Sequence, residues 1–329
     1  MRNRTVVMAV AGAAAAVLLA GCSSPSNGSG SGSGGSGGTK SMLFVNPLPK
    51  NPQWKSADEC MSQEAKARGL DYTSSGPTGS GIDTSAMIQQ VQQGIANKKS
   101  AIVTFPASDG FGPVLQQAQK AGIVTLSILG SGTAESGADM NVGLDWTKIG
   151  QLFVDAASKR GGQQNVGLIE DSPTGAGKDF TEGVKAAAAS AGNVKVVGIV
   201  YTGDDASKAL GQVTALLSAH PDINVVMTHM GTATPGATSA IKAKHLTGKV
   251  MFIGNGPANG GKEAIEDGSA YGLLFQDLCG AGKTIADAVA DRLDGKTTKS
   301  GTAPTILPGL PAVLATKSDY QSYIDKNWG

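Results

Sequence analysis

Residues 42–69, MLFVNPLPKNPQWKSADECMSQEAKARG, decide how this chain reads. They open on an apolar run, Met42-Leu43-Phe44-Val45, which suits a strand buried on both faces. A polar, proline-broken loop follows at 46–53, and a helical pattern then runs from Trp54 to Arg68. Pro52 suits the first turn of that helix, where its missing N–H costs nothing. Gly69 suits the left-handed residue just past it. The unit is strand, loop, helix, and the decorated loop leaves the carboxyl end of the strand. In open α/β sheets that is the end where ligands bind.

The unit recurs downstream. Strand patterns fall at 71–74, 101–105, 123–126 and 141–144, with helical patterns at 85–97 and from Asp109 to Lys120 between them. The alternation restarts after Asp145-Trp146, with strands at 166–169, 194–200, 224–228, 250–253 and 271–275. Helical patterns at 147–159, 177–191, 205–220, 235–244, 263–267 and 281–293 separate or follow them. Strands divided by helices of this length make parallel sheets with right-handed crossovers. So many units suit two sheets better than one. The expected fold class is α/β in two lobes, each a parallel sheet flanked by helices.

The chain begins differently. Arg2 and Arg4 precede an apolar core at 6–20, too short for a stable membrane span. Leu19-Ala20-Gly21-Cys22 resembles the bacterial lipobox, which makes 1–21 a lipoprotein signal peptide and Cys22 the lipidated residue. Residues 22–39 are nearly all Gly and Ser and cannot bury enough apolar surface to fold. They form a tether, and its sixteen residues 23–38 reach about 20–24 Å as a flexible coil. The expected location is extracytoplasmic, anchored to the cell membrane by lipid.

Composition narrows the function. Net charge is +1 with 16% charged residues, so the chain lacks the basic surplus that nucleic acid would call for. The three histidines, His220, His229 and His245, show no metal-ligand spacing, and no cofactor motif is found. The stretch Gly280-Ala281-Gly282-Lys283-Thr284 lacks the earlier glycine of a phosphate-binding loop. No Gly-x-Ser-x-Gly elbow occurs in the body, so no enzyme is expected. Beyond Cys22 two cysteines remain, Cys60 and Cys279. Outside the cytoplasm an even pair suits a disulfide, with two buried free thiols as the alternative.

Several short stretches share one resemblance. They are Asn51-Pro52-Gln53-Trp54, Gly76-Pro77-Thr78, Ser172-Pro173-Thr174, His220-Pro221-Asp222 and Gln276-Asp277. In this order they resemble the periplasmic sugar-binding proteins of ABC importers, the ribose-binding group with its rhamnose and autoinducer-2 branches, over about residues 42–329. The resemblance implies a type I periplasmic-binding fold with three hinge crossings. The N-terminal lobe would be 40–145 plus 278–305, and the C-terminal lobe 146–277 plus 306–329. It would bring Cys60 and Cys279 into one lobe. It implies ligand contacts at Lys50, Asn51, Trp54, Ser127, Lys178, His229, Gly231, Asn255, Gln276 and Asp277. Ser127-Ile128 stands where the ribose group has an Asp-Arg pair, Lys178 where it has an arginine, and Gln53 where it has an aromatic, so ribose itself is not implied.

Several of these residues have a plainer reading. Trp54 can be a core staple, Lys50 and Lys178 surface lysines, and His229 a packed loop residue. Asn255, Gln276 and Asp277 can be turn or cap residues. Phe105 reads as sheet core, and Asp109 and Asp145 as cap and hinge residues. The expected function is binding a sugar or polyol between the lobes and delivering it to an ABC permease. The alternative is a binder of an autoinducer-2-like signal or another non-carbohydrate small molecule, coupled to a receptor.

Overall fold

The computed structural model describes residues 39–79, 81–129, 137–203, 205–298, 305–307, 310–326 and 328–329. The signal peptide, Cys22 and nearly all of the tether lie outside the described residues. Strand β1 (Ser41–Val45) is buried along its length, as its unbroken apolar run requires of a central strand. It pairs in parallel with β2 (Asp71–Ser75) on one side and β3 (Ala101–Thr104) on the other. β2, spelled DYTSS, is a half-exposed edge strand. Beyond β3 lie β4 (Val124–Ile128), β5 (Met140–Val142) and β11 (Thr305–Ile306). The order is β11-β5-β4-β3-β1-β2, parallel throughout.

A second six-stranded sheet repeats the pattern with β6 (Gln164–Glu170), β7 (Val194–Tyr201), β8 (Val225–Met227), β9 (Met251–Asn255), β10 (Gly272–Gln276) and β12 (Ala312–Thr316). Its order is β12-β10-β9-β8-β6-β7, and only the β10–β12 pair is antiparallel. The two sheets share the architecture expected from the alternation. The two short strands β11 and β12 have no counterpart in that reading.

Helices begin where the sequence supplies caps. Asn51 accepts from the backbone N–H of Gln53 and Trp54 and starts α1 (Pro52–Ala67) with Pro52 in its first turn. Gly69 follows with φ +75°, the left-handed stop. Asp83 caps α2 (Thr84–Ala96) and Asp145 caps α4 (Trp146–Ser158). Helix α3 (Phe111–Lys120) follows β3, and α5 (Gly175–Ala191) follows β6. Next come α6 (Ala206–Ala219), α7 (Thr234–Ala243) and α8 (Lys262–Glu266). Asp277 caps α9 (Leu278–Leu293), and a last turn, α10 (Gln321–Ile324), ends the chain.

Counted on the described strands and helices, the chain passes between the sheets three times: after β5, between β10 and α9, and between β11 and β12. The third passage lies between Ile306, which still pairs with Asn141 of the first sheet, and Ala312, which pairs in the second. Helix α9 packs on α1 beside the first sheet, and a Cys60–Cys279 disulfide ties the two. Residues 38–329 form one compact unit. No helix among the described residues is long and apolar enough to cross a membrane.

Candidate ligand-binding site

The carboxyl ends of the parallel strands from both sheets face one cavity of about 60 Å³. At about 10–15 Å³ per water, that is room for four to six waters. One side is built by the loop after β1. Asn46, fully buried, accepts from the Leu48 N–H and donates to the Trp54 carbonyl at 3.4 Å and to Asp58 at 3.1 Å. This fixes the loop onto α1 and presents Trp54. The indole lies 5.5 Å from the Phe105 ring at the end of β3, tilted by 51°. Leu129, just past β4, sits at φ +56°, a region a leucine rarely adopts. Its carbonyl accepts from the Trp146 indole N–H at 3.1 Å, which locks a second indole into the wall.

The other side is more polar. Asn255 ends β9, and its side chain is hydrogen-bonded within the protein. It donates to the His229 carbonyl at 2.8 Å, accepts from the Gly256 N–H at 2.6 Å, and faces Gln53 Nε2 across the cavity at 3.5 Å. Gln53 therefore joins the first-sheet side to the second. Gly231 lets the two sides meet: a Cβ there would stand 2.7 Å from Gln53 Oε1 and 2.9 Å from the Gly256 Cα. Gln276 ends β10, is 1% exposed, and its Oε1 has no partner within the protein. A buried acceptor of this kind calls for a donor.

At the end of β6 stand two adjacent carboxyls. Glu170 is fully buried, and its Oε2 lies 2.6 Å from His229 Nδ1. His229 Nε2 is 3.7 Å from Asp171 Oδ1, and Asp171 and His229 both line the cavity. The Phe180 ring at 5.5 Å and the Trp146 ring at 5.2 Å enclose the imidazole. Burial holds the Glu170 carboxyl well above the usual range. Burial also raises Asp171, with the nearby His229 opposing it. Burial lowers His229, with Asp171 opposing. One donor atom from each of the three lies within 4.8 Å of the others, a set chemically able to hold a divalent metal.

Of the residues named from the sequence, Asn51, Trp54, His229, Gly231, Asn255 and Gln276 line this one cavity. Four others stand elsewhere. Lys50 is exposed in an adjoining groove and donates to the Thr78 carbonyl at 3.0 Å. Ser127 is buried in β4 and donates to Asn141 Oδ1 at 2.6 Å, a bond inside the sheet. Lys178 is exposed on α5 and does not line the cavity. Asp277 accepts from the Gly280 N–H at 2.8 Å as the cap of α9. Phe105, read as core, is both buried and cavity-lining. The sequence reading passed over Glu170, Asp171, Gln53 and Trp146 as ligand residues. The available signal for the first two was a carboxyl pair placed directly after the buried run Val166-Gly167-Leu168-Ile169.

Fold and site together define a two-sheet binding protein, and the chain belongs to the periplasmic binding protein domain family, whose description matches residues 42–297. Among curated proteins it is similar to a D-ribose/D-allose-binding protein of Pseudomonas aeruginosa, 30% identical over 209 residues. That match covers 59% of this chain and 63% of the relative, so it spans less than two thirds of the relative's length. Among solved structures it resembles GanP, a glucose-galactose binding protein from Geobacillus stearothermophilus, with TM-score 0.80 and 19% identity. That likeness covers 86% of this chain and 99% of GanP. It also resembles an ABC transporter solute-binding protein from Burkholderia graminis in complex with D-arabinose, with TM-score 0.79 and 19% identity over 87% and 99% of the two chains. At these identities the likeness establishes the shared fold.

Proposed function

We propose that this protein is the solute-binding component of an ABC importer, taking a small sugar or polyol into the cavity between its sheets. The observation that carries the reading is the cavity itself. It pairs an indole-lined wall, suited to the C–H face of a sugar, with a buried acceptor, Gln276 Oε1, that lacks a protein donor. The relatives named for ribose, allose, glucose, galactose and arabinose support the same class.

The two sheets then act as lobes, 40–145 with 278–305 and 146–277 with 306–329, the last boundary shifted to lie between Ile306 and Ala312 to keep β11 whole. They close on the solute about the three passages, and Gln53 reaching Asn255 is a closure contact. The closed face is offered to the permease. Cys22, acylated, and the tether hold the body at the outer surface of the membrane, and no bond is made or broken in the solute.

The test is a thermal-shift screen of pentoses, hexoses, deoxysugars and polyols. A solute at one hundred times its dissociation constant adds about 2.7 kcal/mol of stability. A hit that weakens in Gln276→Ala supports the reading, and a flat response across the whole panel contradicts it.

A further inference from the structure

Acidic groups around the cavity outnumber basic ones. Glu170 and Asp171 bring two carboxyls, and His229 brings one imidazole. Glu170 Oε2 and His229 Nδ1 lie 2.6 Å apart, yet neither atom has a hydrogen-bond partner in the protein. No Lys or Arg among the described residues lines the cavity. Lys50 is engaged with Thr78 in the adjoining groove, and Lys178 faces out from α5.

Two further observations point to what is missing. Gln276, 1% exposed, and Asp171 line the same cavity, and Gln276 Oε1 and Asp171 Oδ1 lack hydrogen-bond partners in the protein. Both are acceptors, and an ammonium group offers three donors and no acceptor. Trp54, Phe105 and Trp146 line the walls, and aromatic faces attract cations. Asp171 Oδ1 packs close on the first turn of α5, where a Cβ on Gly177 would fall 2.2 Å from it.

We infer that the solute this cavity selects carries a protonated amine on a small hydroxylated frame, as an amino sugar or an amino polyol does. The inference rests on the cavity being the solute site, and it narrows the solute class. Asp171 is the counter-charge, Gln276 takes a second donor, and the aromatic walls receive the cation and the C–H face.

The experiment compares size-matched twins by calorimetry on the unaltered protein: glucosamine with glucose, galactosamine with galactose, and 3-amino-1,2-propanediol with glycerol. Glucuronate serves as the anionic control. The expected result is that the amine twin binds about tenfold to a hundredfold tighter, the worth of a charge-assisted bond. Asp171→Asn, checked by its own melting curve, should bring the amine down to its twin. The twin comparison needs no variant and stands even if Asp171→Asn does not fold. A neutral or acidic sugar that equals or outbinds the amine overturns the inference and leaves the solute-binding reading intact. Amine binding that depends on added zinc or manganese and is abolished by a chelator overturns it in favour of a metal site. Silence from every carbohydrate, amino or neutral, overturns both readings.

Discussion

Trp54 and Glu170 show how single side chains set the behaviour of the cavity. Trp54 is 8% exposed and stacked at an angle on Phe105, so it serves the core and the cavity wall at once. Trp54→Ala should cost about 2 kcal/mol or more of solute binding, roughly thirtyfold, as a buried aromatic anchor does. Titration calorimetry against a solute found by screening checks this. Glu170 governs a pH response. Its carboxyl is raised by burial, so it contributes stability in the protonated form, present below its unfolded value and lost as pH rises through the folded one. Asp171, also raised, has the same sign. His229 is lowered and has the opposite sign: its contribution is present above its unfolded value and lost as pH falls through the folded one. The solute-free protein should therefore lose melting temperature as pH rises above the ordinary carboxylate range through the raised Glu170 and Asp171 carboxyls, and Glu170→Gln should lose less. Melting curves across that range decide it.

The residue scale also explains what the sequence withheld. Gln276 and Asp277 are neighbours at the end of β10, and both invite a ligand reading. One side chain faces the cavity, while the other turns back to cap α9. Alternation of side chains at a strand end decides between them, and that phase appears only once the strand is placed. Ser127 lies two positions before Leu129, inside β4 rather than past its end, and spends its hydroxyl on Asn141. Glu170 and Asp171 were hidden because a charged pair after a strand reads as a loop. Only the return of His229 from β8 gives the pair a common neighbour.

Elements were easier to read than their partners. The run 42–45, the Asn51-Pro52 start and the Gly69 stop carry local signals, and the structure repeats each of them. β11 has only two residues, too few for any periodicity, and β12, five residues long, is followed by no long helix to mark a further strand-helix unit; both are defined by their pairing with β5 and β10. Two element-scale tests follow. The Cys60–Cys279 bridge spans 219 residues of sequence and clamps α9 to α1. Cys60→Ser should cost about 2–5 kcal/mol in urea unfolding, with Cys279→Ser matching it. Gly231→Ala should act on closure, because its Cβ would meet Gln53 Oε1, which can move, and the Gly256 backbone, which cannot easily do so. Overpacking there should cost the closed form about 1–3 kcal/mol. Small-angle scattering with solute present should show a larger radius of gyration than for the unaltered protein.

At the scale of the whole molecule, two sheets present strand ends to one cavity, and the polar and aromatic groups come from both. A solute held there must alter the surroundings of both walls. The chain has three tryptophans, and two of them, Trp54 and Trp146, line the cavity. The third, Trp328, packs against Tyr323 near the end of the chain. Trp328→Phe leaves only the two cavity indoles to report. The measurement that tests the account most directly is a fluorescence titration of that variant with a solute that raises its melting temperature. The account predicts an emission change that saturates with the thermal shift and weakens in step with it when Gln276→Ala is added. A solute that stabilises the protein yet leaves both indoles unchanged would place binding outside this cavity and contradict the account.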